Sequence, residues 1–567
     1  MYQELQQVRK DMTADDSMFA MHEVERRGVK LREYKLAPPS LRVLWDLSQQ
    51  YAERDYLVYG DERWTYAQAY AEAASLANWC QAKGIKQGER VAIAMRNYPE
   101  WVMAYWALTG IGIAVVGMNA WWVADEMAYA LKDSQPRALI CDRERLAVFE
   151  EIRDQFPDIM PVGVRLEDCP SHVTPWSEVK AQGGSMPEVA IDGDEDACIF
   201  YTSGTTGRPK GAQLTQSGCV HNVMNIAFMN LMAVTALARA GGDKDAKPDP
   251  GSMPVNTVLL TTPLFHVTAN NCVLQPATLT GGKVVCMYKW DAGEALKLIE
   301  REKITAVSGV PVMARELIAH PDFAKRDTSS LIALGGGGAA LQPDLVAKID
   351  QTVKTARPLT GYGLTETCGI VSAANMDYFV DRPESVGTAP PVLDVKCIDE
   401  AGTTLPQGKL GEICVKGPII IKGYLNRAEA TAEAIQDGWF RTGDIGRVDE
   451  EGFIYIVDRA KDMVLRGGEN IYCAEVENAI FKHDAVAECA AFAVPDERLG
   501  EEVGIAIHLA AGATITADEL RAHCGSLIAR HKIPRYIWFL PEPLPRNANG
   551  KFLKRQLRDE LQPARAA

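Results

Sequence analysis

From about residue 65, short apolar segments rich in β-forming residues alternate with helical segments, and this alternation most constrains the fold. Residues 91–95, 114–118 and 137–141 are predicted strands, separated by predicted helices at 99–110 and 124–132. Strands that are joined through helices favour a parallel sheet with right-handed crossovers. The same alternation continues in further predicted strands at 197–201, 257–261, 283–287, 306–308 and 331–334. The sequence therefore predicts an α/β fold.

The pattern changes twice in the last third of the chain. Residues 395–399, 412–416 and 419–424 are short predicted strands between Gly and Pro turns, which is typical of a small β subdomain at about 386–457. Beyond Arg459, strands are predicted at 487–494 and 504–509, with helices near 474–482 and 517–530. We therefore expect a large N-terminal domain over residues 1–457 and a separate α+β domain over 462–567, since about 100 residues suffice for independent folding.

The composition is that of a globular protein. Hydrophobic residues make up 47% of the 567 residues and charged residues 24%. The net charge of −15 disfavours nucleic acid as a partner, because an acidic surface repels polyanions. The 13 cysteines form no CxxC pair and no zinc-type cluster, which favours buried free thiols in a reducing compartment.

The N-terminal segment is polar and lacks the apolar core of a signal peptide. No uncharged apolar run reaches the roughly 20 residues that span a bilayer. We therefore expect a cytoplasmic protein without a transmembrane segment. Peripheral membrane contact and a homodimer remain open.

A loop rich in Gly, Ser and Thr follows the predicted strand at 197–201. Glycines let backbone N–H groups turn toward an anion, hydroxyl groups add donors, and Lys210 adds a mobile cation. The alternative is a flexible turn, and the spacing excludes a Walker A loop because Gly211 rather than Ser or Thr follows Lys210. The candidate phosphate-binding residues are Thr202, Ser203, Gly204, Thr205, Thr206, Gly207 and Lys210.

The segment Tyr201-Thr-Ser-Gly-Thr-Thr-Gly-Arg-Pro-Lys-Gly211 resembles the signature of the acyl-adenylate-forming superfamily. This superfamily includes acyl-CoA synthetases, peptide-synthetase adenylation domains and luciferases. The resemblance covers nearly all of the chain after about residue 40. Six further motifs follow in the family's order: Pro263-Leu-Phe-His-Val267, Gly337-Gly-Ala-Ala-Leu341, Tyr362-Gly-Leu-Thr-Glu-Thr367, Gly438-Trp-Phe-Arg-Thr-Gly-Asp444, Asp458-Arg-Ala-Lys-Asp462 and Pro545-Arg-Asn-Ala-Asn-Gly-Lys551.

The resemblance implies that the chain adenylates a carboxylic acid with ATP and Mg²⁺, forming acyl-AMP and pyrophosphate. It gives Lys551, His266, Thr206 and Lys210 as catalytic residues, and Glu366 with Thr206 as metal ligands. A cation such as Lys551 suits this reaction because both reactants are anions. Besides the phosphate loop, the implied ATP-binding residues are Gly338, Ala339, Ala340, Gly361, Tyr362, Gly363, Thr365, Asp444, Ile456, Arg459 and Lys551.

The family's second step is transfer of the acyl group to a thiol after the C-terminal domain has rotated. The resemblance places the hinge at 458–461, with Lys461 as the hinge residue, and makes the C-terminal domain a mobile lid. It implies that CoA meets Gly467, Gly468, Glu469 and His531. His531 departs from the family, where an aromatic residue often stands, and Ala340 replaces the usual Pro.

The residues at two positions narrow the class of carboxylic acid that the chain is expected to activate. Peptide-synthetase domains carry an Asp at the position of His266, and without it a substrate ammonium would be buried unpaired, so amino acids are disfavoured. Acetyl- and propionyl-activating relatives carry a Trp at the position of Gly363, so a deep pocket for a medium-chain, long-chain or arylalkanoic acid is expected. The predicted pocket residues are His266, Val267, Thr268, Val310, Gly335, Gly361 and Gly363, with Ala269 and Met313 nearby.

Free CoA is the expected acceptor, since no carrier-protein domain follows the C-terminal domain. Relatives that load a separate carrier protein often have an insertion, and residues 233–254 keep that alternative open. A luciferase-like oxygenase is a further alternative. A protein that only binds nucleotide is disfavoured by the presence of Lys210, Glu366 and Lys551.

Overall fold

The computed structural model describes residues 2–202, 208–249, 251, 255–338, 341–467, 469–548, 550–563 and 566. Within these ranges the strands form four large sheets, named A to D below, and one two-stranded hairpin, Met21–Arg26 with Val29–Tyr34.

Sheets A and B are the mixed, mainly parallel sheets that the alternation predicted. Sheet A has, in spatial order, Lys210–Thr215, Asp196–Thr202, Ala114–Gly117, Arg90–Ala94, Ala138–Asp142, Met160–Val164 and Thr174–Pro175. Sheet B has, in spatial order, Gly369–Asn375, Arg357–Leu364, Ala333–Gly337, Ala306–Gly309, Thr257–Leu260, Lys283–Cys286, Asp55–Tyr59 and Glu62–Thr65.

Sheets C and D are smaller. Sheet C has Asp394–Ile398, Gly411–Lys416, Trp439–Val448 and Ile435–Gln436, with Ile454–Arg459 paired to Trp439–Val448. Sheet D has Glu469–Ile471, Val464–Arg466, Gly500–Leu509 and Val486–Asp496, with Tyr536–Phe539 paired to Gly500–Leu509.

Helices cover the faces of sheets A and B and support sheet D. The α-helices are Tyr2–Met12, Leu41–Leu47, Tyr66–Ala82, Pro99–Thr109, Ala124–Ser134, Arg143–Glu150, Trp176–Ala181, Gln216–Ala240, Val267–Ala269, Gln275–Leu279, Ala292–Glu302, Pro311–Ala319, Pro343–Thr352, Met376–Asp381, Ala428–Ala434, Cys473–Phe481, Ala517–Gly525 and Lys554–Glu560. Short 3₁₀ segments are Ser48–Tyr51, Arg153–Gln155, Phe323–Lys325, Thr365–Thr367 and Arg530–Lys532, and Asn270–Leu274 is a π-helix.

The interior explains why the central strands have continuous apolar sequences. Every residue of Ala114–Gly117 and of Ala138–Asp142 is buried, as expected of a parallel sheet that is covered on both faces. The cysteines are free, and all except Cys169 and Cys272 are buried, in agreement with the expectation of reduced thiols. The α/β class with a C-terminal α+β unit is confirmed.

One strand prediction was wrong. Residues 419–424 were predicted to form a strand because of their apolar run, and Ile419, Ile420 and Ile421 are indeed buried. Their backbone N–H groups, however, donate to two separate segments rather than to one neighbouring strand. The N–H of Ile421 donates to the carbonyl of Glu366 at 3.1 Å, and the N–H of Lys422 donates to that of Gln213 at 3.0 Å. Burial rather than pairing therefore accounts for the apolar residues.

The helix Gln216–Ala240 is, among the described residues, long and apolar enough by length and composition to cross a membrane. In this fold 56% of its most apolar window is buried. Its most extensive contacts are with the helix Tyr2–Met12 and the strand Gly369–Asn375. A core helix of a globular protein has the same composition.

Candidate functional site

The phosphate loop connects two antiparallel strands at the edge of sheet A. Tyr201 pairs with Gly211 and Thr202 with Lys210, and the Thr202 hydroxyl donates to the Lys210 carbonyl at 3.4 Å. The Lys210 ammonium lies 4.8 Å from the centroid of the Tyr424 ring, and no carboxylate of the described residues forms an ion pair with it. Its charge is thus available for phosphate. The predicted residues Ser203, Gly204, Thr205, Thr206 and Gly207 lie outside the described residues.

Both ends of this loop are fixed by tyrosines that the motif analysis did not single out as functional. The Tyr201 hydroxyl donates to the carboxylate of Asp133 at 3.0 Å. Beyond the loop, the Tyr129 hydroxyl donates to the carbonyl of Pro209 at 3.0 Å. Arg427 pairs with Asp133 at 3.1 Å and donates to the Tyr129 hydroxyl at 3.0 Å, so the two anchors share one network.

A second cluster joins three predicted nucleotide-binding residues from sheets B and C. The Tyr362 hydroxyl donates to Asp444 Oδ2 at 2.7 Å, and Arg459 Nε lies 3.0 Å from Asp444 Oδ1. Asp444 and Arg459 are register partners on neighbouring strands, and Asp444 is only 3% exposed. Burial and the adjacent Asp444 carboxylate raise the pKa of Tyr362 above its ordinary value. The cluster thus presents the Asp444 carboxylate, fixed by Tyr362 and Arg459, as an acceptor for hydroxyl groups beside the Tyr362 ring. Ile456, two strand positions before Asp458, is partly buried on the same strand as Arg459.

Glu366 follows Thr365 in the 3₁₀ turn Thr365–Thr367 at the end of a sheet B strand. Its Oε1 accepts a hydrogen bond from the Tyr424 hydroxyl at 2.9 Å, so Tyr424 contacts both Glu366 and Lys210. Sequence reasoning does not single out Tyr424, because it belongs to the segment predicted as a strand and no motif marks it.

The fit of Mg²⁺ to these residues follows from the donor set. The described residues hold no cluster of three His, Cys, Asp or Glu side chains that would form a protein-only metal cage. Mg²⁺ in nucleotide sites takes one or two carboxylates together with phosphate oxygens and water. Glu366, whose carboxylate is in no described ion pair, fits such a role. The other predicted ligand, Thr206, is outside the described residues.

Lys551 belongs to the C-terminal domain and lies in the same region as the residues above. A Cβ on Gly338 would be 3.8 Å from Lys551 Cε and 3.6 Å from Val310, and one on Gly550 would be 2.7 Å from Val310. Burial, followed by repulsion from Arg459, lowers the pKa of Lys551 to about 8, while Asp444 and Glu366 act in the opposite direction. Lys551 therefore shares one electrostatic environment with Asp444, Arg459 and Glu366.

His266 completes this group. Burial, followed by the charge of Lys551, lowers the pKa of His266 to about 3, so its imidazole is neutral at physiological pH. Its Nε2 is buried and has no hydrogen-bond partner among the described residues. A buried polar atom without a partner is costly, so this nitrogen is suited to meet a substrate group.

The predicted acyl-pocket glycines differ in whether their surroundings leave room for a side chain. A Cβ on Gly363 would lie 1.8 Å from the carbonyl oxygen of Gly369, and one on Gly335 would lie 2.1 Å from that of Leu359. Backbone packing alone therefore explains these two glycines, and the depth of the pocket does not follow from them. A Cβ on Gly361, by contrast, meets nothing nearer than Ile370 Cγ2 at 3.4 Å.

Replacement of Gly363 tests this distinction. Gly363→Ala is expected to lower the free energy of unfolding by about 1–3 kcal/mol, because the added methyl group must displace backbone. Gly361→Ala is the matched control and should cost less, since it meets only a side chain. Thermal and urea denaturation measure both variants. Equal stability of the two variants would show that the backbone at Gly363 accommodates a side chain.

The other predicted residues are distributed around this centre. Val267 and Thr268 lie in the short helix Val267–Ala269 directly after His266, and Val310 precedes the helix Pro311–Ala319. Lys461 is exposed between sheets C and D. Gly467 and Glu469 are exposed in the sheet D hairpin, and His531 lies in a 3₁₀ turn. No described hydrogen bond or ion pair connects Gly467, Glu469 or His531 with Asp444 or Lys551. Ala339, Ala340 and Gly468 lie outside the described residues.

Comparison with known proteins gives two matching family models. Residues 44–425 match the model described as AMP-binding enzyme. Residues 475–551 match the model described as AMP-binding enzyme C-terminal domain.

Two curated relatives and one solved structure illustrate the range of similar proteins. A feruloyl-CoA synthase from Amycolatopsis sp is 35% identical over 502 residues, covering 88% of this chain and 94% of the relative. A long-chain-fatty-acid–CoA ligase from Mycobacterium tuberculosis is 33% identical over 507 residues, covering 88% and 93%. The o-succinylbenzoate CoA synthetase of Bacillus subtilis, in complex with its acyl-adenylate intermediate, superimposes with a TM-score of 0.76 at 28% identity, covering 92% of this chain and 98% of that chain.

Proposed function

The chain belongs to the AMP-binding enzyme family, and we propose that within this family it activates a medium-chain, long-chain or arylalkanoic acid for transfer to CoA. It is an AMP-forming acid–thiol ligase of the acyl- and aryl-CoA ligase type. ATP and CoA are its cosubstrates, and Mg²⁺ is its metal. The two curated relatives above are named as a CoA synthase and a CoA ligase, so they do not favour the carrier-protein or oxygenase alternatives.

One observation carries the proposal: the environment of Lys551. Asp444 and Glu366 attract this cation, and its charge acts on His266, whose Nε2 has no hydrogen-bond partner among the described residues. A carboxylate and a polyphosphate repel each other, and a cation held between them offsets that repulsion as they approach. A carboxylate oxygen then attacks the α-phosphorus of ATP, the bond to the β-phosphate oxygen breaks, and pyrophosphate leaves.

The other residues have roles in binding. Asp444 is positioned to accept hydrogen bonds from the ribose hydroxyl groups, with Arg459 and Tyr362 holding its carboxylate. Lys210 faces the phosphates. Glu366 would hold Mg²⁺, which neutralises charge on the pyrophosphate group.

His266 supports an acid without an ammonium group. An imidazole carries no negative charge in either protonation state, so His266 cannot pair with a substrate ammonium, and its low pKa keeps it neutral. An uncharged tail that is alkyl or aryl suits such a site, in line with relatives named for ferulate and long-chain fatty acids. Val267, Thr268, Val310 and Gly361 would line the acyl pocket.

For the second step we propose rotation about the hinge at 458–461, with Lys461 as the pivot. Lys551 leaves with the C-terminal domain, and the hairpin that carries Gly467 and Glu469 moves toward the acyl group. The CoA thiol then attacks the acyl carbonyl and releases its proton to solvent, the bond between the carbonyl carbon and the AMP phosphate oxygen breaks, and AMP leaves. We further propose that the protein works in the cytoplasm.

A pyrophosphate-release screen tests the proposal. Acids of graded length, from acetate to palmitate, and arylalkanoic acids are supplied with ATP and Mg²⁺, with and without CoA. We expect release that depends on an added acid longer than propionate, and a CoA thioester detectable by mass spectrometry. Stimulation by acetate or propionate alone would refute the proposed acid class. Pyrophosphate release without any thioester would refute CoA as the acceptor.

A further inference from the structure

Two segments of the proposed site come from strands that are not neighbours in sheet B. His266 follows the strand Thr257–Leu260, and Glu366 follows the strand Arg357–Leu364. Two other strands lie between these, so at a spacing of about 4.8 Å per neighbour they are about 14 Å apart. Direct strand pairing therefore cannot fix the distance from the residue assigned to the acid to the residue assigned to the metal.

A buried asparagine on a third element connects the two segments. Asn222 belongs to the long core helix described above and is fully buried. Its Nδ2 donates to the carbonyl of Asn271 at 2.8 Å, and its Oδ1 accepts a hydrogen bond from the N–H of Ile370 at 2.8 Å. One side chain thus links the segment that follows His266 to the segment that follows Glu366.

A second asparagine bridges the same two segments directly. The Asn271 Nδ2 donates to the carbonyl of Cys368 at 2.9 Å, and its Oδ1 accepts a hydrogen bond from the Asn270 side chain at 2.8 Å. The N–H of Asn270 in turn donates to the carbonyl of His266 at 3.0 Å. Cys368 directly follows the 3₁₀ turn that carries the predicted metal ligand. We call Asn222 and Asn271 the asparagine clamp.

The backbone on both sides of the clamp departs from regular structure. Gly369 has a φ of +144°, and a Cβ there would lie 2.2 Å from Asn222 Oδ1, so a side chain at this position would displace the amide. Cys368 adopts a left-handed φ of +49°, which is uncommon for a residue other than glycine. On the other side, Asn271 lies in the π-helix Asn270–Leu274, and π-helical turns are frequent at functional sites.

Burial makes these hydrogen bonds specific. Asn222 and Asn271 are both fully buried, so bulk water does not replace a partner that is lost. A shift of either segment would leave a buried donor or acceptor unpaired, which costs the full desolvation of that group. The clamp therefore favours one separation of the two segments.

We propose that Asn222 and Asn271 are positioning residues for acyl-AMP formation, because the clamp fixes the distance between the acid at His266 and the ATP phosphates at Glu366. In-line attack of the carboxylate on the α-phosphorus depends on this distance, and a misplacement of about 1 Å can lower a rate about 100-fold. The clamp acts through the two backbone segments and not through contact with substrate. The inference rests on the roles proposed above for His266 and Glu366.

Separate measurement of the two half-reactions tests the clamp. Asn222→Ala is expected to lower kcat for acyl-AMP formation about 10- to 100-fold, because the reactants are no longer aligned. The KM values for ATP and for the acid should change less than about threefold, since the groups that bind them remain. Thioester formation from supplied acyl-AMP should be unchanged, because that step involves no attack on phosphorus. Asn271→Ala should behave alike, and the double variant should lose little more than either single variant.

Asn225 provides the matched control. It is fully buried on the same helix, and its Oδ1 accepts a hydrogen bond from the Tyr34 hydroxyl at 2.9 Å. Asn225→Ala should lower the Tm about as much as Asn222→Ala, yet keep the wild-type kcat in both half-reactions. Equal losses of both half-reactions in Asn222→Ala would overturn the proposal, and so would a comparable loss of acyl-AMP formation in Asn225→Ala.

Hydrogen exchange, followed by mass spectrometry, examines the clamp without any acid. In Asn222→Ala, amide exchange is expected to rise about tenfold in peptides that span residues 266–271 and in peptides that span 366–371. In Asn225→Ala neither set should change. A rise in only one of the two segments of Asn222→Ala would overturn the clamp. If no acid supported pyrophosphate release by the wild-type protein, the proposed function would fail, while the exchange result would still decide whether the clamp couples the two segments.

Discussion

Lys551→Ala is expected to reduce acyl-AMP formation by about 100- to 1,000-fold while largely sparing thioester formation from supplied acyl-AMP. The reason is that Lys551 provides the cation between the two anionic reactants in the first step, where Asp444 and Glu366 lie close to it. The second step needs no such cation, since acyl-AMP is already activated. The two half-reactions are measured separately, by pyrophosphate release and by thioester formation from synthetic acyl-AMP.

The exposed Lys482, in the same domain, gives the matched control, and Lys482→Ala should leave both half-reactions unchanged. Equal loss of both half-reactions in Lys551→Ala would contradict the assignment. The pH dependence offers an independent check. Because the pKa of Lys551 is lowered to about 8, its ammonium form is present below pH 8 and is lost as the pH rises through that value. Acyl-AMP formation should therefore fall on the alkaline side of pH 8, and His266, with a pKa of about 3, adds no transition there.

Glu366→Gln is expected to reduce acyl-AMP formation by about 100-fold or more at low Mg²⁺, with partial recovery at high Mg²⁺. Glutamine keeps the size of the side chain and can still accept a hydrogen bond from Tyr424, but it lacks the charge that a divalent cation requires. Pyrophosphate release is followed across a Mg²⁺ titration. Removal of Mg²⁺ with a chelator should abolish the wild-type reaction.

Two further variants separate the metal from the hydrogen bond. Tyr424→Phe removes the hydroxyl group that donates to Glu366 and keeps the ring beneath Lys210, so its effect should be smaller. Glu450→Gln, at an exposed carboxylate, is the charge-matched control. If Glu366→Gln retained the wild-type Mg²⁺ dependence, Glu366 would not be the metal ligand.

Sequence reasoning singled out Tyr362, Asp444 and Arg459 as candidate nucleotide-binding residues, but not how they are held together. The motifs identified Tyr362, Asp444 and Arg459 separately, and the structure brings them into one hydrogen-bonded group. The strand alternation likewise predicted the parallel sheets, because hydrophobic runs and turn residues are local signals. The link from Lys210 through Tyr424 to Glu366 was not predictable, since its residues lie far apart in the chain and Tyr424 belongs to no motif.

What the sequence alone determined is the chemistry: which side chains are present, in which order, and on which local backbone. The sequence shows a glycine at position 363 but not why it is needed, because whether a Cβ there meets open space or the carbonyl of Gly369 depends on a neighbouring strand. The tertiary structure alone decided which groups share an environment. It placed Lys551 in the electrostatic environment of Asp444 and Asn222 against Ile370, because sheet order and domain docking, rather than sequence spacing, fix the distances on which electrostatic and hydrogen-bond energies depend.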